Sequence, residues 1–115
     1  MALTQTQVEE CLRVTGAFIA KRRPPPAIRD KLDYRADISG STVTIVSIRP
    51  RYNDSRRKMD HPIARIRWIG TKKKWQLYWM RADLKWHVYE ATSEIKSIAD
   101  ALEEVHRDPH SCFFG

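Results

Sequence analysis

The chain has 115 residues, of which 42% are hydrophobic and 30% are charged, a size and composition typical of one domain with a single core. Its formal net charge is +7, and its isoelectric point is about 9.7. No apolar run approaches the roughly 20 residues that a membrane span requires, and the first residues do not have the pattern of a signal peptide. We therefore expect one cytoplasmic domain over residues 1–115, without a membrane partner.

The positive charge is concentrated in the middle of the chain. Residues 21–81 hold 17 Lys and Arg against 5 Asp and Glu, whereas the other residues hold 4 against 9. This distribution favours one positive surface that attracts an anionic partner. The alternative is a generic basic protein with scattered, solvated lysines. The two cysteines, Cys11 and Cys112, are too few for a secreted disulfide scaffold, so reduced thiols are expected.

The first predicted element is a helix over residues 4–23. Apolar or small residues recur at helical spacing along one face: Val8, Cys11, Leu12, Thr15, Phe18 and Ile19. Thr4 or Thr6 is expected to cap the start of this helix. The three prolines at positions 24–26 then end it.

Five strands are predicted next. Alternating and β-branched residues indicate strands at 31–40, 42–50, 62–70, 74–80 and 85–90. Residues 51–60 have turn chemistry and no periodicity, so an exposed loop is predicted there. In the turn at residues 81–84, Asp83 is expected to accept hydrogen bonds from backbone N–H groups.

A second helix is predicted over residues 92–108, with Thr92 or Ser93 as its cap. Its apolar stripe consists of Ile95, Ile98, Ala99, Leu102 and Val105. The Phe-rich tail after it is expected to dock onto the body of the domain.

The order of elements predicts the fold class. Short connections between strands favour an antiparallel meander. A helix at each terminus can then cover one face of the sheet only, which gives a two-layer α+β domain with a five-strand antiparallel sheet.

Alternation also predicts which side chains face the helices. The inward set is Trp68, Trp75, Trp79 and Trp86, with Ile66, Leu77 and Val88. A core is the favoured interpretation of these indoles, and a tryptophan-lined ligand pocket is the alternative. The outward set is Arg65, Arg67, Gln76, Tyr78, Met80, Lys85, His87 and Tyr89, with Arg35 if the sheet order allows.

The outward set suggests a function, because phenol rings can stack on unpaired bases while guanidinium groups neutralise phosphates. The leading hypothesis is therefore binding of single-stranded or structured DNA or RNA. The predicted contacts are Arg49, Arg51, Arg56, Arg57, Arg65, Arg67, Tyr78, His87 and Tyr89. The alternative is the ordinary solvated face of a half-exposed sheet.

Two other functions remain open. Exposed Tyr78, Met80 and Tyr89, or a free sheet edge, would suit a protein-interaction module or a homodimer. A metal-independent ribonuclease would use proton-transfer and phosphate-binding residues of one hairpin. That set is Arg81, Lys85, His87 and Tyr89, with Arg65 and Arg67 as possible neighbours. The ribonuclease hypothesis requires His87 and two cations to converge in one pocket.

Other chemistry is not indicated. His106 and His110 have a spacing that can hold zinc on one helical turn, but Pro109 interrupts the helix between them. The sequence contains no C-x-x-C pair, no phosphate-binding glycine loop and no nucleophile motif. We therefore expect no metal, no small-molecule cofactor and no assigned catalytic residue.

Three segments resemble a known family. They are Arg49-Pro50-Arg51-Tyr52, the block WQLYWMRADLKWHVY at residues 75–89, and the tail Cys112-Phe113-Phe114-Gly115. Together they are similar to a family of short bacterial proteins catalogued as a domain of unknown function. The resemblance covers nearly the whole chain and implies a single-domain bacterial cytosolic protein. It transfers no catalytic residue, because that family has no assigned activity.

Overall fold

The computed structural model describes residues 3–51, 54–91 and 95–114. It contains two helices, a short 3-10 turn at Pro26–Ile28 and a five-strand sheet in the order β1-β2-β3-β4-β5, with every neighbouring pair antiparallel. The elements are α1 (Gln5–Arg22), β1 (Asp33–Ser39), β2 (Thr42–Arg51), β3 (Asp54–Ile69), β4 (Lys74–Met80), β5 (Trp86–Val88) and α2 (Ile98–Arg107). The predicted α+β fold, a five-strand antiparallel sheet with one helix at each end, is confirmed.

Helix α1 begins with a capping box. The Thr4 hydroxyl accepts from the Gln7 backbone N–H, and the Gln7 side chain accepts from the Thr4 N–H, so two otherwise unpaired donors are satisfied. Cys11 and Phe18 are buried as predicted, but Leu12 is 60% exposed. The predicted stripe was too wide, because Leu12 lies about 100° around the helix from Cys11.

Helix α2 begins later than predicted. Ser97 is its N-cap, with its hydroxyl accepting from the Asp100 N–H at 3.1 Å, while the predicted caps Thr92 and Ser93 lie outside the described residues. Ile95 pairs with Trp75 as an isolated β-bridge instead of lying on the helix. Ala99 is exposed, because it lies about 100° around the helix from Ile98. Buried in α2 are Ile98, Ala101, Leu102 and Val105.

The prediction of an exposed loop over residues 51–60 is wrong. Strand β2 continues to Arg51 and β3 starts at Asp54, so the two strands pair across this region. Residues 52–53 lie outside the described part of the chain. We call residues 48–51 and 54–60 the arm. Its described side chains are exposed or half-exposed, so no alternation marks them as a strand, and cross-strand pairing alone forms it.

The core lies between the helices and one face of the sheet. The sheet contributes Val43, Ile45, Ala64, Ile66, Trp75 and Leu77, and the helices contribute Cys11, Phe18, Ile98, Leu102 and Val105. The tail docks as predicted, since Phe113 is buried and the Arg22 guanidinium lies 3.5 Å from the centre of the Phe114 ring. No helix in the described part of the chain has the length and apolarity needed to cross a membrane.

The predicted orientation of β5 is wrong. Met80 is paired with Trp86 and Trp79 with His87, and paired residues share a face. Trp86 and Val88 therefore point away from the helices, whereas His87 and Tyr89 point toward them. The connection at residues 81–85 has five residues and contains Leu84 at φ 62°, which sets this register. Trp68, Trp75 and Trp79 face the core as predicted.

Candidate nucleic-acid interface

One face of the sheet carries no helix on it among the described residues, because α1 and α2 both pack on the other face. We call it the outer face. It carries Thr42, Thr44, Arg65, Arg67, Gln76, Tyr78, Met80, Trp86 and Val88. These side chains share one side because cross-strand partners do so in an antiparallel sheet.

Two arginines form the centre of this face. Arg65 is paired with Thr44 on one side and Tyr78 on the other, and Arg67 lies two residues further along the same strand. Two residues along a strand span about 7 Å, so the two guanidinium groups project from neighbouring points of one row. The structure therefore brings three predicted contacts, Arg65, Arg67 and Tyr78, onto one surface.

Trp86 is the residue that sequence analysis missed. It is half-buried and lines a shallow cavity of about 320 Å³, together with Arg65, Thr44 and Pro62 among others. An indole and a guanidinium therefore border the same depression. Trp86 lies on the outer face because it pairs with Met80, and the three residues of β5 are too few for their alternation to reveal this.

Acidic groups near the outer face are engaged by cations. Arg35 contacts Asp37 at 3.0 Å and Asp60 at 2.7 Å, and its hydrogen bond to Asp60 holds the pKa of that carboxyl below its usual value. Arg23 does the same for Asp33 at 2.8 Å. Arg35 therefore links β1 to the arm, and two arginines pair with the three carboxylates Asp33, Asp37 and Asp60.

The predicted contacts on the arm do not all face the same way. Arg49 is paired with Met59 and lies on the side of Ser47, which is the helix side. Arg51, Arg56 and Arg57 are exposed along the arm. The Lys58 ammonium donates to the Asp30 carbonyl. The arm is therefore a positively charged extension beside the outer face, and Arg49 is not part of that face.

Tyr89 and His87 are not on the outer face, so their predicted outward orientation is wrong. Tyr89 is 2% exposed, and its hydroxyl donates to Glu104 Oε2 at 2.6 Å. Burial, followed by that hydrogen bond, raises the pKa of Tyr89. His87 lies on the helix side with Nε2 2.9 Å from Asp83 Oδ2. A buried phenol cannot stack on a base, so Tyr89 leaves the candidate set.

The turn before β5 behaves as predicted. The Asp83 carboxylate accepts from the Lys85 backbone N–H at 2.9 Å. That bond, and then the contact with His87, holds the pKa of Asp83 below its usual value. The Arg81 guanidinium lies 5.4 Å from the centre of the Trp79 ring.

A separate cavity of about 300 Å³ lies at the β4–β5 edge and contains Arg81 and His87. We call it the edge cavity. Of the predicted ribonuclease set, Lys85, Arg65 and Arg67 are not among its lining residues, and Tyr89 contributes to its wall. Within the described ranges, no three His, Cys, Asp or Glu side chains are arranged to hold a metal ion.

The molecule is thus an α+β domain with helices on one side of a sheet and a basic, aromatic face on the other. The chain belongs to the family described as Domain of unknown function (DUF3024), whose model matches residues 3–115. No curated protein and no solved structure matches the chain significantly. The family description assigns no activity, so a function has to be argued from the surfaces themselves.

Proposed function

We propose that the protein binds single-stranded nucleic acid through the outer face. The observation that carries this proposal is the position of Trp86 and Tyr78 beside Arg65 and Arg67 on a sheet face that no described helix covers. Aromatic rings on such a face stack on unpaired bases, and the arginines neutralise the phosphates between them.

Base stacking on the aromatic side chains and phosphate neutralisation by the cations contribute to binding in different ways. Stacking of one base on an aromatic side chain contributes about 1–3 kcal/mol. Each phosphate that a cation neutralises adds roughly 0.7 to the slope of log affinity against log salt for a single strand. The net charge of +7 and the exposed cations of the arm would draw the strand toward the outer face.

The first test reverses the charge of the face. The double variant Arg65→Glu with Arg67→Glu should weaken binding of a 20-nucleotide single-stranded RNA or DNA by at least tenfold and lower the salt slope by about 1–2. Fluorescence anisotropy over a salt titration measures both quantities. The control is Arg13→Glu with Lys21→Glu, which makes the same charge change on exposed positions of α1. Equal losses in the two variants would mean that only net charge matters.

Trp86 gives a second arm of the same test. Trp86→Ala should weaken binding by about 5- to 100-fold, because a stacking surface is lost. Trp86→Phe should recover most of the affinity, since it keeps an aromatic ring. If wild-type protein binds no single strand at low salt, or if Trp86→Ala binds as wild type does, the proposed stacking face is refuted.

A second candidate is a protein-interaction surface. Leu84, just before the short edge strand β5, is 78% exposed, and Val88, the last residue of β5, is 46% exposed. Exposed apolar side chains at a sheet edge suit another chain. Light scattering with size-exclusion chromatography distinguishes the two. A stable dimer that dissociates in Val88→Asp and binds no nucleic acid would favour this candidate.

We place this binding in a bacterial cytoplasm. Cys11 and Cys112 are both free thiols, as expected where glutathione and thioredoxin keep cysteines reduced. The similarity of the WQLYWMRADLKWHVY block to short bacterial proteins supports the same placement.

A further inference from the structure

The edge cavity contains polar side chains that are not part of the outer face. It lies on the helix side of the sheet, at the end of β4 and β5, and the C-terminal tail forms part of its wall. Its polar lining comes from three separate segments: Arg81 from the turn, His87 and Glu90 from β5 and the residues after it, and His110 and Cys112 from the tail.

Contacts with neighbouring side chains hold Arg81, His87 and His110 in place. The Asp83 carboxylate lies 2.9 Å from His87 Nε2, which orients the ring. Nδ1 on the other side of the ring donates to a ligand only in the imidazolium form, because the neutral ring has a single N–H. Arg81 lies over the face of Trp79 at 5.4 Å, within the range of a cation–π contact. His110 lies with its ring centre 6.2 Å from that of Tyr89, so the tail side of the cavity is also fixed by packing.

We propose that the edge cavity binds a phosphate monoester. Arg81, His87 and His110 come from three separate segments, and a guanidinium together with imidazolium N–H groups matches the oxygens and the charge of such a group. A carboxylate has only two oxygens to offer. Two imidazoles and the Cys112 thiol line the cavity, but no three of the described His, Cys, Asp and Glu side chains are arranged for a metal ion.

The size of the cavity limits the rest of the ligand. A volume of about 300 Å³ is at the lower end for small-molecule sites. It accommodates a phosphate with a small organic group, such as a nucleotide or the phosphorylated end of a strand, and not a length of polymer. The ligand is therefore recognised by its terminal phosphate.

Removing the charge of Glu90 should strengthen phosphate binding, which gives a prediction of definite direction. It is the one carboxylate among the residues that line the cavity, and it is exposed. A like charge near the bound phosphate weakens binding, so Glu90→Gln should bind the phosphate more tightly than wild type does. Replacing Arg81 removes the only permanent positive charge of the lining and should act in the opposite direction.

Isothermal titration calorimetry tests this with inorganic phosphate, adenosine 5′-monophosphate and adenosine. We expect the two phosphates to bind and adenosine not to bind. Arg81→Gln and His110→Ala should each weaken binding by about tenfold, the effect of losing one charge-assisted hydrogen bond. Lys85→Gln is the matched control, because it removes a neighbouring exposed charge from the same hairpin without changing the lining.

Several outcomes would overturn the proposal: adenosine binding as well as the monophosphate, equal losses in Arg81→Gln and Lys85→Gln, or no binding of either phosphate. Unchanged circular dichroism and melting temperature establish that each variant folds. If Arg81→Gln does not fold, His110→Ala still tests the proposal, because His110 is an exposed position in the tail.

The source of the phosphate is distinguished by a second arm. A 5′-phosphorylated oligonucleotide is compared with its 5′-hydroxyl form in the Arg65→Glu, Arg67→Glu background, where the outer face is disabled. A preference for the phosphorylated strand identifies a strand end as ligand, and adenosine monophosphate binding without that preference identifies a free phosphate ester. Of the outer-face residues named above, only Val88 also lines the edge cavity, and no arginine or aromatic side chain is shared, so either proposal can fail while the other holds.

Discussion

At the scale of single residues, Tyr89 illustrates how a hydroxyl can be accommodated in a core. Its ring packs 5.2 Å from that of Phe113, and its hydroxyl reaches the half-buried Glu104 at 2.6 Å. A buried phenol normally requires such a partner, because an unpaired hydroxyl in a core is costly. Tyr89 therefore joins the end of the sheet to α2 and the tail.

Removing that hydroxyl should destabilise the fold. Tyr89→Phe keeps the ring but leaves the Glu104 carboxylate without this donor, so the free energy of unfolding should fall by about 1–3 kcal/mol. Urea denaturation followed by circular dichroism measures the change. Tyr78→Phe, a half-exposed position on the outer face, is the control and should shift stability by less than about 0.5 kcal/mol. Equal stability of Tyr89→Phe and wild type would contradict the assigned role.

The residue scale also shows where sequence reasoning stopped. Alternation along β3 and β4 correctly predicts that Arg65, Arg67 and Tyr78 face away from the helices, because both strands are long enough to show a period of two. Strand β5 has only three residues, so its alternation fits either face equally well. The register across residues 81–85 decides it, and that register depends on the left-handed Leu84, a conformation that leucine does not signal.

At the scale of elements, the end of α2 and the tail form one unit. Asp108 is in the left-handed conformation at the C-terminus of α2, and its carboxylate accepts from the backbone N–H groups of Phe113 at 3.0 Å and Phe114 at 2.8 Å. One side chain therefore satisfies two donors and folds the tail back over α1, where Arg22 covers Phe114.

This unit predicts a graded series at position 108. Asp108→Ala loses both acceptor bonds and adds left-handed strain, so it should cost about 2–3 kcal/mol of stability. Asp108→Gly also loses both acceptor bonds but has no left-handed strain. Asp108→Asn tolerates the conformation and keeps one acceptor oxygen. The free energy of unfolding should therefore decrease in the order Asn, Gly, Ala. Hydrogen exchange at the Phe113 and Phe114 amides should quicken in the same order. Unchanged exchange in Asp108→Ala would refute the tail contact.

The arm is the element that composition concealed. Most of its residues are polar and its described side chains are exposed or half-exposed, so neither alternation nor hydrophobicity marks a strand. Backbone pairing between β2 and β3 continues past the core nonetheless. A hairpin already aligned at its base extends without a further loop-closure cost, and each added residue gains cross-strand hydrogen bonds against its own loss of backbone entropy.

At the scale of the whole molecule, the helices divide the sheet into a packed side and an open side. The packed side holds the core and the edge cavity, whereas the open side holds the outer face. The arm extends beyond this two-layer body, and the molecule measures 44 × 30 × 24 Å along its principal axes. This division predicts that the arm can be removed without unfolding the domain.

That prediction is tested by replacing residues 50–58 with Asn-Gly. Arg49 and Met59 are paired across the hairpin, so a two-residue turn closes it in a favoured geometry. Cooperative thermal unfolding should persist within a few degrees of wild type, while the salt slope for single-stranded RNA falls because Arg51, Arg56, Arg57 and Lys58 are lost. Loss of cooperative unfolding would show instead that the arm supports the core.

The sequence by itself determined the element types, their order and the two-layer plan, because apolar periodicity is set by burial and the long periodic segments show it clearly. It also determined the charge of the middle of the chain and two arginines of the outer face. Only the tertiary structure decided the orientation of β5, and with it the exchange of Trp86 for Tyr89 on the outer face. The physical reason is that a short strand takes its facing from hydrogen-bond register with its neighbour, which depends on the three-dimensional path of the turn before it.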